Sequence, residues 1–134
     1  MSKNEIIYSL EQLENASNRL KEAVAETDEN DSLKQDGVIQ RFEFTFELLW
    51  KTLKLYLSHV GKPVNNPRDT LKTAFKEQIF SDEATLLTML DDRNLCTHVY
   101  DFKTTRKIFG HIREKYLQAI LSIIGEIQVR ISQL

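Results

Sequence analysis

The stretch DGVIQRFEFTFELLWKTLKLYLSHV, residues 36–60, decides the fold. Ile39, Phe42, Phe46, Leu49, Leu53, Tyr56 and Val60 recur three and four residues apart, the period of one helical face. Val38, Phe44, Leu48, Trp50, Leu55 and Leu57 lie off that stripe. A helix apolar on more than one face is central in its fold or buried in an oligomer. Upstream, Ser32 and Gln35 have the spacing of a capping box and predict the start of this helix. Downstream, Gly61 stops it and Pro63 follows.

The same period extends in both directions. Ile6, Leu10, Leu13, Leu20 and Val24 predict an amphipathic helix over roughly 3–27, followed by an acidic loop, 26–31. Asn66 caps a third helix, with Pro67 at its first position, Asp69 in its first turn, and Leu71, Phe75 and Ile79 as its apolar face. Ser81 caps a fourth, with Leu86, Leu87, Met89 and Leu90 facing the core, running into 93–98. Residues 101–104 break the pattern. Ile108, Ile112, Tyr116, Ala119, Ile120, Ile123, Ile127 and Ile131 then predict one last helix. At 1.5 Å per residue the second and last helices each span ~40 Å. Gly110 and Gly125 fall inside the last helix, marking either close approach of another helix or simple tolerance. The expected fold is all-α: an up-and-down antiparallel bundle of about five helices in one domain, 1–134.

Composition agrees. A chain of 134 residues with 41% apolar and 28% charged side chains suits one soluble domain that needs no disulfide or metal staple. Only 4 Gly and 2 Pro argue against a turn-rich β fold, and a single Cys excludes a disulfide framework. No membrane span or targeting segment is evident, so a cytoplasmic location is expected. Phosphate loops, HExxH and G-x-S-x-G are missing, and His59, His98 and His111 are scattered. No metal site or cofactor is therefore expected.

One segment concentrates chemistry. In residues 89–101, Arg93, Asn94, Thr97, His98 and Tyr100 crowd a predicted helix end. Arginine offers a fork suited to phosphate, and histidine titrates near neutrality. Together they have the groups to bind or cleave a phosphodiester without metal. Yet residues five apart on an α-helix point ~140° apart, so Arg93 and His98 do not share a face, and convergence needs an unwound helix end, a long Arg reach or a second protomer. The alternative is structural: His98 caps a helix C-terminus, and Arg93 pairs with Asp91, Asp92 or another carboxylate.

RNLCTHVY, residues 93–100, resembles the R-x4-H-x-Y motif of HEPN-domain proteins of the HepT group. Residues 36–54 and Asn66-Pro67-Arg68-Asp69 resemble further signatures of that family, also called nucleotidyltransferase substrate-binding proteins. The resemblance covers about residues 5–130. It implies a homodimer-forming helical bundle whose partner is a minimal nucleotidyltransferase of the MntA type, the two forming a toxin–antitoxin module. It implies a metal-independent endoribonuclease, with Arg93 gripping the scissile phosphate and His98 as general base or acid. Asn94 and Asp92 would support them, Asp92 by holding Arg93. AMP transfer from the partner onto Tyr100 would silence the nuclease. The alternative is a non-catalytic substrate-binding or docking subunit of the nucleotidyltransferase.

The net charge of −2 conceals two blocks. Glu22, Glu26, Asp28, Glu29, Asp31 and Asp36 make residues 22–36 acidic, most simply a solvated loop. Lys103, Arg106, Lys107 and Arg113 follow the motif and form either an RNA-backbone patch or an ordinary solvated face. Phe42, Phe44, Phe46, Trp50 and Tyr56 read as core or dimer interface. Glu47 and Lys51 form an i,i+4 pair, Cys96 is a packing residue, and His59 and His111 have no assigned role.

Overall fold

The computed structural model describes residues 3–97 and 101–134. Among them the chain is all-helical, and none of the helices is long and apolar enough to cross a membrane. The elements are α1 (Lys3–Ala25), α2 (Ser32–His59), α3 (Pro67–Lys76), α4 (Glu83–Cys96), α5 (Phe102–His111), a π turn (Ile112–Tyr116) and α6 (Leu117–Ser132). The helix α2 is the hub, packing against α1, α3, α4 and α5, while α6 closes the bundle against α1. This is the up-and-down bundle expected from the sequence.

The apolar stripe of α2 performs as its spacing requires. Phe42, Phe46, Leu49 and Leu53 are fully buried, and each such side chain contributes roughly 1.5–3 kcal/mol by leaving water. Against them lie Ile6, Leu13 and Leu20 of α1 and Ile120 and Ile127 of α6, all buried. Phe42 stacks on Tyr116, ring centroids 5.7 Å apart. Phe44 is the exception among the aromatic residues of α2, at 64% exposed.

Helix ends follow local chemistry, with two corrections. Asp31, not Ser32, caps α2: its carboxylate accepts the Lys34 N–H at 3.0 Å. Gln35 is buried and donates to the Asp28 carbonyl at 2.9 Å, tying down the loop in place of closing a capping box. Asp82, not Ser81, caps α4, accepting from the Thr85 N–H at 3.0 Å and its hydroxyl at 2.7 Å. A carboxylate at this position also meets the helix dipole, which a serine hydroxyl does not. Asn66 caps α3 as expected, with Pro67 in the first turn. The break at 101–104 is narrower than its sequence suggests: Asp101 caps α5, which begins at Phe102.

Two helices end alike. After α2, Gly61 takes φ +84°, with Lys62 N–H bonded to Leu57 O and Gly61 N–H to Ser58 O. After α3, Gln78 takes φ +63°, with Ile79 N–H bonded to Ala74 O and Gln78 N–H to Phe75 O. Both are Schellman motifs, and a left-handed residue is required in each. Close approach does not explain Gly110 or Gly125, since a Cβ at either would meet nothing within 4 Å.

The last helix is not uniform. Between α5 and α6 the Leu117 N–H reaches back five residues to Ile112 O, while the backbone on both sides stays helical. One wide turn is thereby built into an otherwise continuous rod.

Candidate functional site at the end of α4

The last turns of α4 present three charged residues in succession, and each goes to a different partner. Asp91 is exposed and pairs with Arg68 of α3 at 3.2 Å. Asp92 turns inward to the last helix. Its Oδ2 accepts the Tyr116 hydroxyl at 2.6 Å and lies 2.8 Å from His111 Nδ1. Arg93 turns to α2, where its Nη1 donates to Glu47 Oε2 at 3.1 Å. Its guanidinium lies 5.2 Å from the centre of the Phe46 ring. Successive helical residues point ~100° apart, so one turn of α4 is fastened on several sides.

The expectation that Asp92 holds Arg93 is thus corrected. Neighbours at i and i+1 on a helix do not face each other. Glu47 takes that place instead. Its Oε2 also accepts the Trp50 indole N–H at 3.1 Å, and Oε1 meets Lys51 at 3.2 Å. The expected Glu47–Lys51 pair is therefore present, but it is a minor part of what Glu47 does. Partial burial pushes the Glu47 carboxyl up, yet the Trp50 and Lys51 hydrogen bonds and the Lys51 and Arg93 charges hold it below its ordinary value. Glu43, one turn earlier, is raised by burial, against a weaker opposing pull from Arg93. Arg93 is mostly covered, its side chain 20% exposed, and its buried Nε has no hydrogen-bond partner among the described residues.

The sequence held no signal that His111 and Tyr116 act together. Five residues apart, they would diverge by ~140° on an α-helix. The π turn runs between them, and its i→i+5 bonding brings such residues to one face. Both then reach one oxygen of Asp92. Tyr116 is 1% exposed, and burial, with the Asp92 hydrogen bond and charge, drives its phenol well above its ordinary range.

Beside α4 opens a cleft of about 430 Å³ between α2 and the start of α5. Asp36, Glu43, Cys96, Phe102 and Thr105 line it. Burial, with the charges of Glu43 and Asp92, pushes the Cys96 thiol up to about 12, which suits a packing residue and not a thiolate nucleophile. A larger groove of about 880 Å³ between the α3–α4 connection and α6 contains none of the expected site residues. Asn94 is exposed, and its carbonyl accepts the Thr97 hydroxyl at 2.8 Å. The expected positions His98 and Tyr100 lie outside the described residues.

Lys103, Arg106 and Lys107 are exposed on α5, with the Arg106 guanidinium 5.2 Å from the Phe102 ring centre. Arg113 departs from this group. Its Nη2 donates to Glu29 at 3.0 Å, and its guanidinium lies over Phe109. The acidic loop and the basic strip therefore meet at one ion pair.

The chain and its helical bundle match a known protein class. The family model described as "nucleotidyltransferase substrate binding protein like" matches residues 8–128, and the chain belongs to that family. A crystal structure of a protein from Thermus thermophilus is 31% identical, with a TM-score of 0.73 over 89% of this chain and 98% of that one. A tri-AMPylated Shewanella oneidensis HEPN toxin in complex with MNT antitoxin gives 0.78 at 17% identity, covering 96% and 99%. A mutant of the toxin–antitoxin pair MntA–HpeT gives 0.76 at 17% identity, covering 92% and 97%. At 17% identity these two likenesses concern the fold. Comparison with curated proteins found no match.

Proposed function

We propose that the chain is a HEPN-type endoribonuclease toxin that acts as a homodimer, without metal, and is neutralised by a minimal nucleotidyltransferase. The observation that carries this reading is Arg93. Its guanidinium is held at the end of α4 by Glu47 and Phe46, with a buried Nε unpaired among the described residues. Five residues on stands His98, and Tyr100 completes the R-x4-H-x-Y sequence. A guanidinium on a side chain that keeps 20% of its surface exposed is suited to a phosphodiester oxygen. Arg93 would stabilise charge developing on the scissile phosphate, and His98 would move the proton of the ribose 2′-OH or of the leaving 5′-oxygen.

Family membership and the AMPylated state of the Shewanella toxin support modification by the partner, and the motif position of Tyr100 makes it the residue proposed to carry the AMP. An AMP two residues from His98 adds negative charge and bulk where RNA must enter. Exposed Lys103, Arg106 and Lys107 are suited to the RNA backbone, and Arg113 contributes once released from Glu29. Asn94 and Asp92 are supporting residues, Asp92 through the anchoring of α4. The second reading, a non-catalytic substrate-binding or docking subunit, is favoured by the family's own description.

Expression decides between them. Growth arrest relieved by His98→Ala, and suppressed by co-expressing the cognate nucleotidyltransferase, is the outcome expected of the toxin. Equal RNA cleavage by the purified His98→Ala protein and its parent would refute the assignment. Harmless expression with a tight complex would establish the docking subunit. Mass spectrometry of the co-expressed chain should find AMP on Tyr100.

A further inference from the structure

We propose that Glu47 is a positioning residue for Arg93: it fixes the guanidinium by its Nη1 and so holds in one orientation the part of the side chain that stays exposed to the substrate phosphate. The inference rests on the nuclease reading above. Spacing does not single out Glu47 for this task, since 46 residues separate it from Arg93. The structure brings them to 3.1 Å.

Four contacts define the arrangement. Glu47 Oε2 is itself fixed by the Trp50 indole N–H at 3.1 Å, and Oε1 by Lys51 at 3.2 Å, so the carboxylate cannot swing freely. Phe46, the preceding residue of α2, supports the guanidinium face at 5.2 Å. The planar guanidinium, gripped at Nη1 and supported on its face, has its remaining orientation set. An arginine left free would sample many rotamers before each turnover. Holding it in one geometry lowers the entropic part of the barrier. The same carboxylate repels an incoming phosphate, so it does nothing to strengthen RNA binding in the ground state. A positioning role of this type acts on kcat and not on KM.

The test uses the full chain and a short single-stranded RNA. Glu47→Ala should lower kcat by about tenfold to a hundredfold. KM should stay within about threefold or fall. Glu47→Gln keeps an acceptor for Nη1 and for Trp50, and should recover most of the lost kcat. A purely structural role would lower the melting temperature of both variants and the folded fraction, while kcat per folded molecule stayed constant. An unchanged kcat in Glu47→Ala, a raised KM alone, or Gln no better than Ala would overturn the proposal. A second readout does not depend on cleavage. In 15N-labelled protein the Arg93 Nε–H signal, assigned by its loss in Arg93→Lys, should exchange with water roughly tenfold faster in Glu47→Ala. Unchanged exchange overturns the positioning role. A parent protein that cuts no RNA, but shows the accelerated exchange, refutes the nuclease reading and leaves the positioning of Arg93 standing.

Discussion

Replacing Tyr116 by Phe tests the anchor of α4 with a single oxygen atom. The ring is fully enclosed and stacked on Phe42, and Phe keeps both features. What disappears is the hydroxyl that donates to Asp92 Oδ2 at 2.6 Å. A hydrogen bond to a charged group contributes roughly 1.5–3 kcal/mol. The Asp92 oxygen keeps His111 at 2.8 Å, so it is not left unpaired. The expected cost is therefore in the lower part of that range, about 2 kcal/mol, or ~8 °C in melting temperature for a domain of this size. Urea denaturation at neutral pH measures it, with the midpoint shifting and the slope unchanged. The control is a double-mutant cycle with Asp92→Ala. If the oxygen acts through Asp92, Tyr116→Phe should cost almost nothing in the Asp92→Ala background, a coupling of about 2 kcal/mol. Strict additivity, or a cost below ~0.5 kcal/mol in the parent, would refute the idea that this hydrogen bond fastens α4 to the last helix.

Two further outcomes follow from local geometry. Gln78 occupies a left-handed position that Gly61 fills in the equivalent turn, so Gln78→Gly should stabilise the protein by ~1 kcal/mol, raising the melting temperature by about 4 °C. Glu43 has a carboxyl raised by burial, so the folded state holds its proton to higher pH than the unfolded chain. Stability from this group therefore falls as pH rises from the ordinary carboxylate range through the raised value. Glu43→Gln should accordingly be more stable than the parent at pH 7, and denaturant midpoints should converge below about pH 4.

The sequence carried the bundle because a helix periodicity of three and four is a local property. Phe42, Phe46, Leu49 and Leu53 needed no knowledge of their partners to be assigned inward, and all four are buried. Caps were legible where one residue dominated, as at Asn66, and misread where two candidates stood side by side. At Ser81–Asp82 and Asp31–Ser32 the carboxylate won, being both acceptor and charge. The site was legible only in part for a related reason. Arg93 belongs to a short motif, but its partner Glu47 is on another helix and already had a satisfactory local explanation in Lys51. Nothing in a one-dimensional pattern says which of two adequate partners a carboxylate will serve, and here it serves both.

The π turn shows why residue spacing misleads at a site. Arg93 and His98, and His111 and Tyr116, are both pairs five residues apart, and the same ~140° divergence applies to each on a regular helix. For the second pair the chain widens one turn, at a cost in hydrogen-bond geometry, and both side chains reach Asp92. That cost is offset by satisfying a carboxylate whose side chain is only 15% exposed. The consequence falls on the adjacent residue. With Asp92 drawn to the last helix, the helical rotation of ~100° turns Arg93 away from it and onto α2, within reach of Glu47. A wide turn in a helix that begins after the motif has ended thus helps turn Arg93 toward Glu47 and Phe46, which hold it. Removing the Asp92 anchor should therefore disturb Arg93 even though the two side chains do not touch.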